Sequence, residues 1–124
     1  MNVADSSAWL EFFGEGKLAS EFSPVIEDHQ NLIVPSIVVY EVHKRIAVQR
    51  GTEAANKAVS FMRRGRFIPL EEALAVEASN VSREHKLAMA DAIIYATALA
   101  NAAEVWTTDG HFENLPNVRY FEKK

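Results

Sequence analysis

At 124 residues, 48% hydrophobic and 24% charged, the chain is long enough for one domain with a real core and has the make-up of a soluble globular protein. It contains no cysteine, which excludes disulfides, thiolate zinc sites and a cysteine nucleophile. A formal net charge of −4 excludes a broad basic coat, so any nucleic acid must be gripped locally or through a metal.

Asn2-Val3-Ala4 predicts a short strand that stops at Asp5. Ser6 or Ser7 then caps a helix running through Ala8 to Phe13, with Trp9, Leu10 and Phe13 on a core stripe. Lys17 to Asp28 reads as a second helix, which Pro24 is expected to divide or kink. Leu32-Ile33-Val34 is a buried strand, broken at Pro35-Ser36. A helix follows from Ser36 to Arg50, with Glu41 on the same face as Ile37, Val38 and Arg45. Gly51 stops it, and Thr52 caps a helix from Glu53 to Met62. Phe67 to Leu70 is a short strand whose Pro69 points to a sheet edge or a strand end.

Glu71 to His85 predicts a helix, and Leu87 to Ala100 another. The second is almost wholly apolar and carries one charge, Asp91, near its start. Alone, Asp91 reads as a first-turn carboxylate favoured by the helix dipole. Glu104 to Thr107 is a strand, Thr108 to Phe112 a turn with one helical turn, Val118 to Phe121 a last strand, and Glu122 to Lys124 a polar tail. Strands alternating with helices predict a single α/β domain over residues 1–124, with a mostly parallel central sheet flanked by helices.

The four aspartates are few beside the many glutamates. In such a sheet, sites form outside the carboxyl ends of the strands. Asp5 and Asp109 follow strand ends, and Glu41 and Asp91 sit on flanking helices. Clustered carboxylates repel one another, and a hard cation such as Mg²⁺ or Mn²⁺ resolves that conflict. Taken singly, Asp5 reads equally well as a helix cap, Asp109 as a turn residue, and Glu41 as a solvated residue or a partner of Arg45.

Asp5-Ser6-Ser7-Ala8-Trp9, Val34-Pro35-Ser36 with Glu41-Val42, the stretch around Ala90-Asp91-Ala92, and Thr107-Thr108-Asp109-Gly110-His111-Phe112 together resemble the PIN-domain ribonucleases. The likeness is nearest to the VapC-type toxins of toxin–antitoxin pairs and covers essentially the whole chain. It implies a three-layer PIN-like sandwich and an acidic quartet of Asp5, Glu41, Asp91 and Asp109. Asp5 and Asp91 would be the best metal ligands. Glu41 would bind metal or orient water, and Asp109 would complete a weaker metal position. Ser7 and Thr107 match hydroxyls that support the carboxylates, and Ser6 sits where the family often has Thr or Ser.

The resemblance further implies Mg²⁺- or Mn²⁺-dependent cleavage of RNA phosphodiesters by activated water. It also implies a homodimer and a cognate antitoxin protein through which alone operator DNA is met. Lys44 and Arg45 are candidates for RNA phosphate contact. His111 could touch substrate or a metal-held water, although packing within its loop is the plainer role. His29, His43 and His85 read as surface residues, Arg63, Arg64 and Arg66 as a solvated face, and Tyr40 as mostly core. No apolar run reaches membrane-spanning length and no secretory pattern opens the chain, so a cytoplasmic protein without membrane contact is expected.

Two alternatives stand beside this reading. One is a PIN-fold nuclease in RNA or DNA processing without an antitoxin. The other, a receiver-like phosphoacceptor domain, needs an acidic pair after its first strand and an acceptor Asp on a middle strand. Neither is present in the sequence.

Overall fold

In the computed structural model, which describes residues 1–123, the sheet is built from β1 (Asn2–Ala4), β2 (Leu32–Pro35), β3 (Arg66–Ile68), β4 (Glu104–Thr107) and β5 (Val118–Tyr120). Lys124 of the predicted tail lies outside the described residues. The helices are α1 (Ser6–Phe13), α2 (Ala19–Ile26), α3 (Ser36–Arg50), α4 (Thr52–Met62), α5 (Glu72–His85) and α6 (Met89–Ala100). Strand order is β3-β2-β1-β4-β5, and every pairing is parallel. Right-handed crossovers place α1 to α4 on one face and α5 with α6 on the other, because the chain reverses direction across the sheet between β3 and β4. Among the described residues, no helix is long and apolar enough to cross a membrane.

The core explains these elements. Val3, Ala4, Leu32, Ile33 and Val34 are buried on β1 and β2, which is why those strands read as apolar runs, whereas β4 alternates, with Val105 and Thr107 buried. Trp9, Phe22, Tyr95 and Phe112 are the largest fully buried side chains. The body of α6 is buried from Ala92 to Ala98. Fully burying a residue the size of Ile94 contributes about 1.5–3 kcal/mol, so this helix is firmly seated against β1, β2 and β4.

Several local expectations are corrected. The cap of α1 is Asp5, not Ser6 or Ser7: its carboxylate accepts from the Ala8 N–H at 3.0 Å. The chain leaves β1 in an extended conformation at Asp5, which fixes where the first helical turn can begin. Thr52 is the first residue of α4, and the residue before it is Gly51, whose φ of +93° favours glycine. The second helix is shorter than predicted and carries Pro24 in its last turn without dividing; Asp28 lies beyond it. Pro69 follows β3, which is the sheet edge.

Tyr40 is not core but 58% exposed on α3. His29 and His85 are half-buried rather than on the surface, edge-on to Phe61 and Tyr95. Arg64 is exposed, as expected, and its guanidinium lies over the Phe61 ring at 4.9 Å.

Candidate active site

The strand order reverses between β2 and β4, on either side of β1, so the crevice of this sheet opens beyond the carboxyl ends of β1 and β4. Ala4 pairs with Trp106 in register, and the Asp5 N–H donates to the Trp106 carbonyl at 3.1 Å. Asp5 and Thr107 are thereby set side by side. Asp5 is 3% exposed, and its two oxygens are engaged differently. Oδ1 accepts from the Ser7 hydroxyl at 2.6 Å and from the Ala8 N–H. Oδ2 accepts from the Thr107 hydroxyl at 2.5 Å.

Thr107 Oγ1 in turn accepts from the Asp109 N–H at 2.8 Å, and Ser7 Oγ accepts from the Thr108 N–H at 2.9 Å. Two hydroxyls thus tie α1 to the turn after β4. Burial pushes the Asp5 carboxyl up to about 6 against these hydrogen bonds, with a smaller push from Asp109.

The other three acids lie nearer solvent. Asp91 stands in the first turn of α6, 17% exposed at its side chain. Burial raises its pKa first, then the charge of Asp109, and then that of Glu41, while His111 opposes. Asp109 caps the 3-10 turn Gly110–Phe112, accepting from the His111 N–H at 2.9 Å. This turn folds the His111 ring back over the acids. Nδ1 lies 3.1 Å from Asp109 Oδ1 and 3.5 Å from Asp91 Oδ2. His111 therefore does not pack within its loop; its side chain is 77% exposed over the carboxylates. One donor atom each from Asp91, Asp109 and His111 falls within 4.8 Å of the others.

Glu41, on α3, adds to the acidic wall: its Oε1 is buried and has no hydrogen-bond partner among the described residues. The expectation of a Glu41–Arg45 pair gives way to this arrangement; instead Glu41, Lys44, Arg45, Tyr40 and Ser6 line a groove of about 320 Å³. Ser6 thus faces the groove, while Ser7 and Thr107 hold Asp5. A neighbouring hollow of about 360 Å³ runs from Arg45 past Ser7 and Thr108 to Arg50 and Lys123.

A divalent cation fits these residues. The pocket combines mutually repelling carboxylates with an acceptor atom, Glu41 Oε1, that is shielded from water and unpaired. Hard oxygen donors of that kind are what Mg²⁺ and Mn²⁺ take. Of the two roles open to His111 in the sequence, the loop-packing one gives way: the two-residue step from the capping Asp109 across a tight turn turns its ring toward the acids.

The hydroxyl bridge gives a direct test. Thr107→Val keeps the shape but removes the donor to Asp5 and the acceptor for the Asp109 N–H. Leaving such buried groups unpaired costs about 1–3 kcal/mol. Urea unfolding is expected to register that loss.

Fold and pocket together describe an α/β domain with an acidic, cation-fitting crevice at a topological switch point. A family model described as PIN domain matches residues 3–118, and the chain belongs to that family. No curated protein matches the sequence. Among solved structures, a toxin–antitoxin complex from Klebsiella pneumoniae has a TM-score of 0.78 at 22% identity, covering 96% of each chain. A sarcin–ricin loop cleaving VapC toxin from Mycobacterium tuberculosis has a TM-score of 0.75 at 15% identity, covering 90% of this chain and 92% of its own. A DNA-bound VapBC from Salmonella typhimurium has a TM-score of 0.74 at 16% identity, covering 98% of both. At these identities the likeness is one of fold, and it agrees with the three-layer α/β sandwich described above.

Proposed function

We propose that this chain is a divalent-cation-dependent endoribonuclease and the toxin of a toxin–antitoxin pair, working in the cytoplasm as a homodimer. The observation that carries the reading is the buried Glu41 Oε1, unpaired among the described residues and close enough to Asp91 to raise its pKa, an acceptor that a cation would satisfy. Membership of the PIN domain family supports the nuclease chemistry. Structures described as a toxin–antitoxin complex and as a DNA-bound VapBC support an antitoxin partner, with operator DNA reached through it.

Asp5, Asp91 and Asp109 would hold Mg²⁺ or Mn²⁺, and Glu41 would share that task or orient the attacking water. When bound, the cation supplies a more acidic water and neutralises charge building on the phosphate. The chain's own residues do the rest. Ser7 and Thr107 fix Asp5 so that its carboxylate does not swing. Lys44 and Arg45, in the groove beside Glu41, would draw in RNA phosphates. Water adds to phosphorus, the bond to O3′ breaks, and a 5′-phosphate and a 3′-hydroxyl remain.

Purified protein incubated with total RNA is expected to produce 5′-phosphate ends in Mg²⁺, none in excess EDTA, and the same ends again once Mg²⁺ or Mn²⁺ is restored. Cleavage that continues in EDTA would overturn the proposal.

A further inference from the structure

The geometry points to His111 Nδ1 as a direct ligand of the divalent cation, making this a mixed nitrogen–oxygen site with Asp91 and Asp109 rather than an all-carboxylate one. The inference rests on the cation-dependent reading above and adds a donor outside the acidic quartet. Metal bonds of about 2.1 Å at right angles put neighbouring ligand atoms about 3 Å apart. Nδ1 sits 3.1 Å from Asp109 Oδ1 and 3.5 Å from Asp91 Oδ2, close to that spacing on both sides. The backbone holds it there. Asp109 accepts the His111 N–H, and the 3-10 turn Gly110–Phe112 ends in Phe112, which is fully buried and anchors the turn. The ring itself is exposed, so its position over the acids owes nothing to core packing.

The chemistry has a consequence for metal choice. Carboxylate and water suit Mg²⁺, whereas imidazole favours the later, softer divalent ions over it. A nitrogen donor therefore moves this pocket's preference from Mg²⁺ toward Mn²⁺.

Mn²⁺ is the probe, because it is paramagnetic. The full chain is titrated with Mn²⁺ by electron paramagnetic resonance, and the bound ion is examined by electron spin echo modulation for coordinated ¹⁴N. The wild type is expected to show imidazole nitrogen coupling. His111→Ala is expected to lose it, to bind Mn²⁺ at least about tenfold more weakly, and to lose less affinity for Mg²⁺. His111 is exposed, so a thermal melt of the variant should match the wild type and separate ligation from folding. Bound Mn²⁺ without nitrogen coupling in the wild type, or coupling unchanged in His111→Ala, would overturn the inference and leave the nuclease reading standing. No Mn²⁺ binding by the wild type would also overturn the inference, and cleavage that continues in EDTA would overturn the nuclease reading beneath it.

Discussion

Asp91→Asn is expected to lower RNA cleavage by more than about 100-fold, a larger loss than substitutions behind the metal-holding groups cause, while the protein still folds. The two halves of that expectation come from different parts of α6. Its body, Ala92 to Ala98, is buried and makes the packing, and the substitution leaves it untouched. Its first turn presents Asp91 to Asp109 and Glu41, whose charges disfavour the ionised carboxylate. Replacing the carboxylate with an amide relieves that repulsion but forfeits a favourable anion near a helix N-terminus, worth about 0.3–1 kcal/mol. The two effects oppose, so the melting temperature should move little. The check is kcat/KM on RNA alongside a thermal melt. Activity within tenfold of wild type, with metal present, would contradict the assignment of Asp91.

Asp5→Asn is expected to abolish cleavage and at the same time stabilise the cation-free protein above pH 6. The Asp5 carboxyl is pushed from 3.8 to about 6, so the folded protein keeps a proton that the unfolded chain has already released. Stability from this group is therefore full below pH 4 and is lost as pH rises through about 6. A shift from 3.8 to about 6 corresponds to about 3 kcal/mol of destabilisation at pH 7.

The amide removes that penalty. Its oxygen can take over the donors at Oδ1, Ser7 and Ala8, and its NH₂ would face Thr107, whose hydroxyl must turn away. Some of the gain is offset there, leaving a net rise of about 1–3 kcal/mol at pH 7.5. Urea unfolding in EDTA at pH 4.5 and 7.5 reads this out. The wild type should weaken between the two values and the variant should weaken less, because Asp91, whose pKa is also raised, still titrates. A variant less stable than wild type at pH 7.5 would show that the buried carboxylate stabilises the fold. The trade is the familiar one in which a working site holds charge that the fold would rather lose.

Much of this arrangement is legible in the sequence because the central strands carry a clear apolar pattern. Val3-Ala4 and Leu32-Ile33-Val34 stand out as apolar runs, ended by Asp5 and by Pro35-Ser36, while β4 shows as an alternating strand with Val105 and Thr107 inward. Once those ends are placed, Asp5 and Asp109 follow. What the sequence does not carry is the choice among equals. Asp5, Ser6 and Ser7 are all good helix caps, and only the pairing of Ala4 with Trp106 decides for Asp5. Tyr40 fits the helical pattern of α3, but it faces the groove with Lys44 and Arg45.

Long-range pairs are the hardest to read. Glu11 looks like an ordinary surface position on α1, and Lys123 like a tail residue. In the structure the buried Glu11 carboxylate accepts the Leu18 N–H and meets Lys123 Nζ at 2.8 Å. No local pattern links positions so far apart in the chain.

The central claim, that the acidic crevice of this chain cuts RNA, is tested most directly by sequencing 5′-phosphate RNA ends in cells after induced expression of the wild type and of Asp91→Asn. The wild type should create a small set of dominant new ends within minutes of induction, and the variant, present at equal soluble levels, should create none. The same ends from both proteins, or none from a soluble wild type, would contradict it.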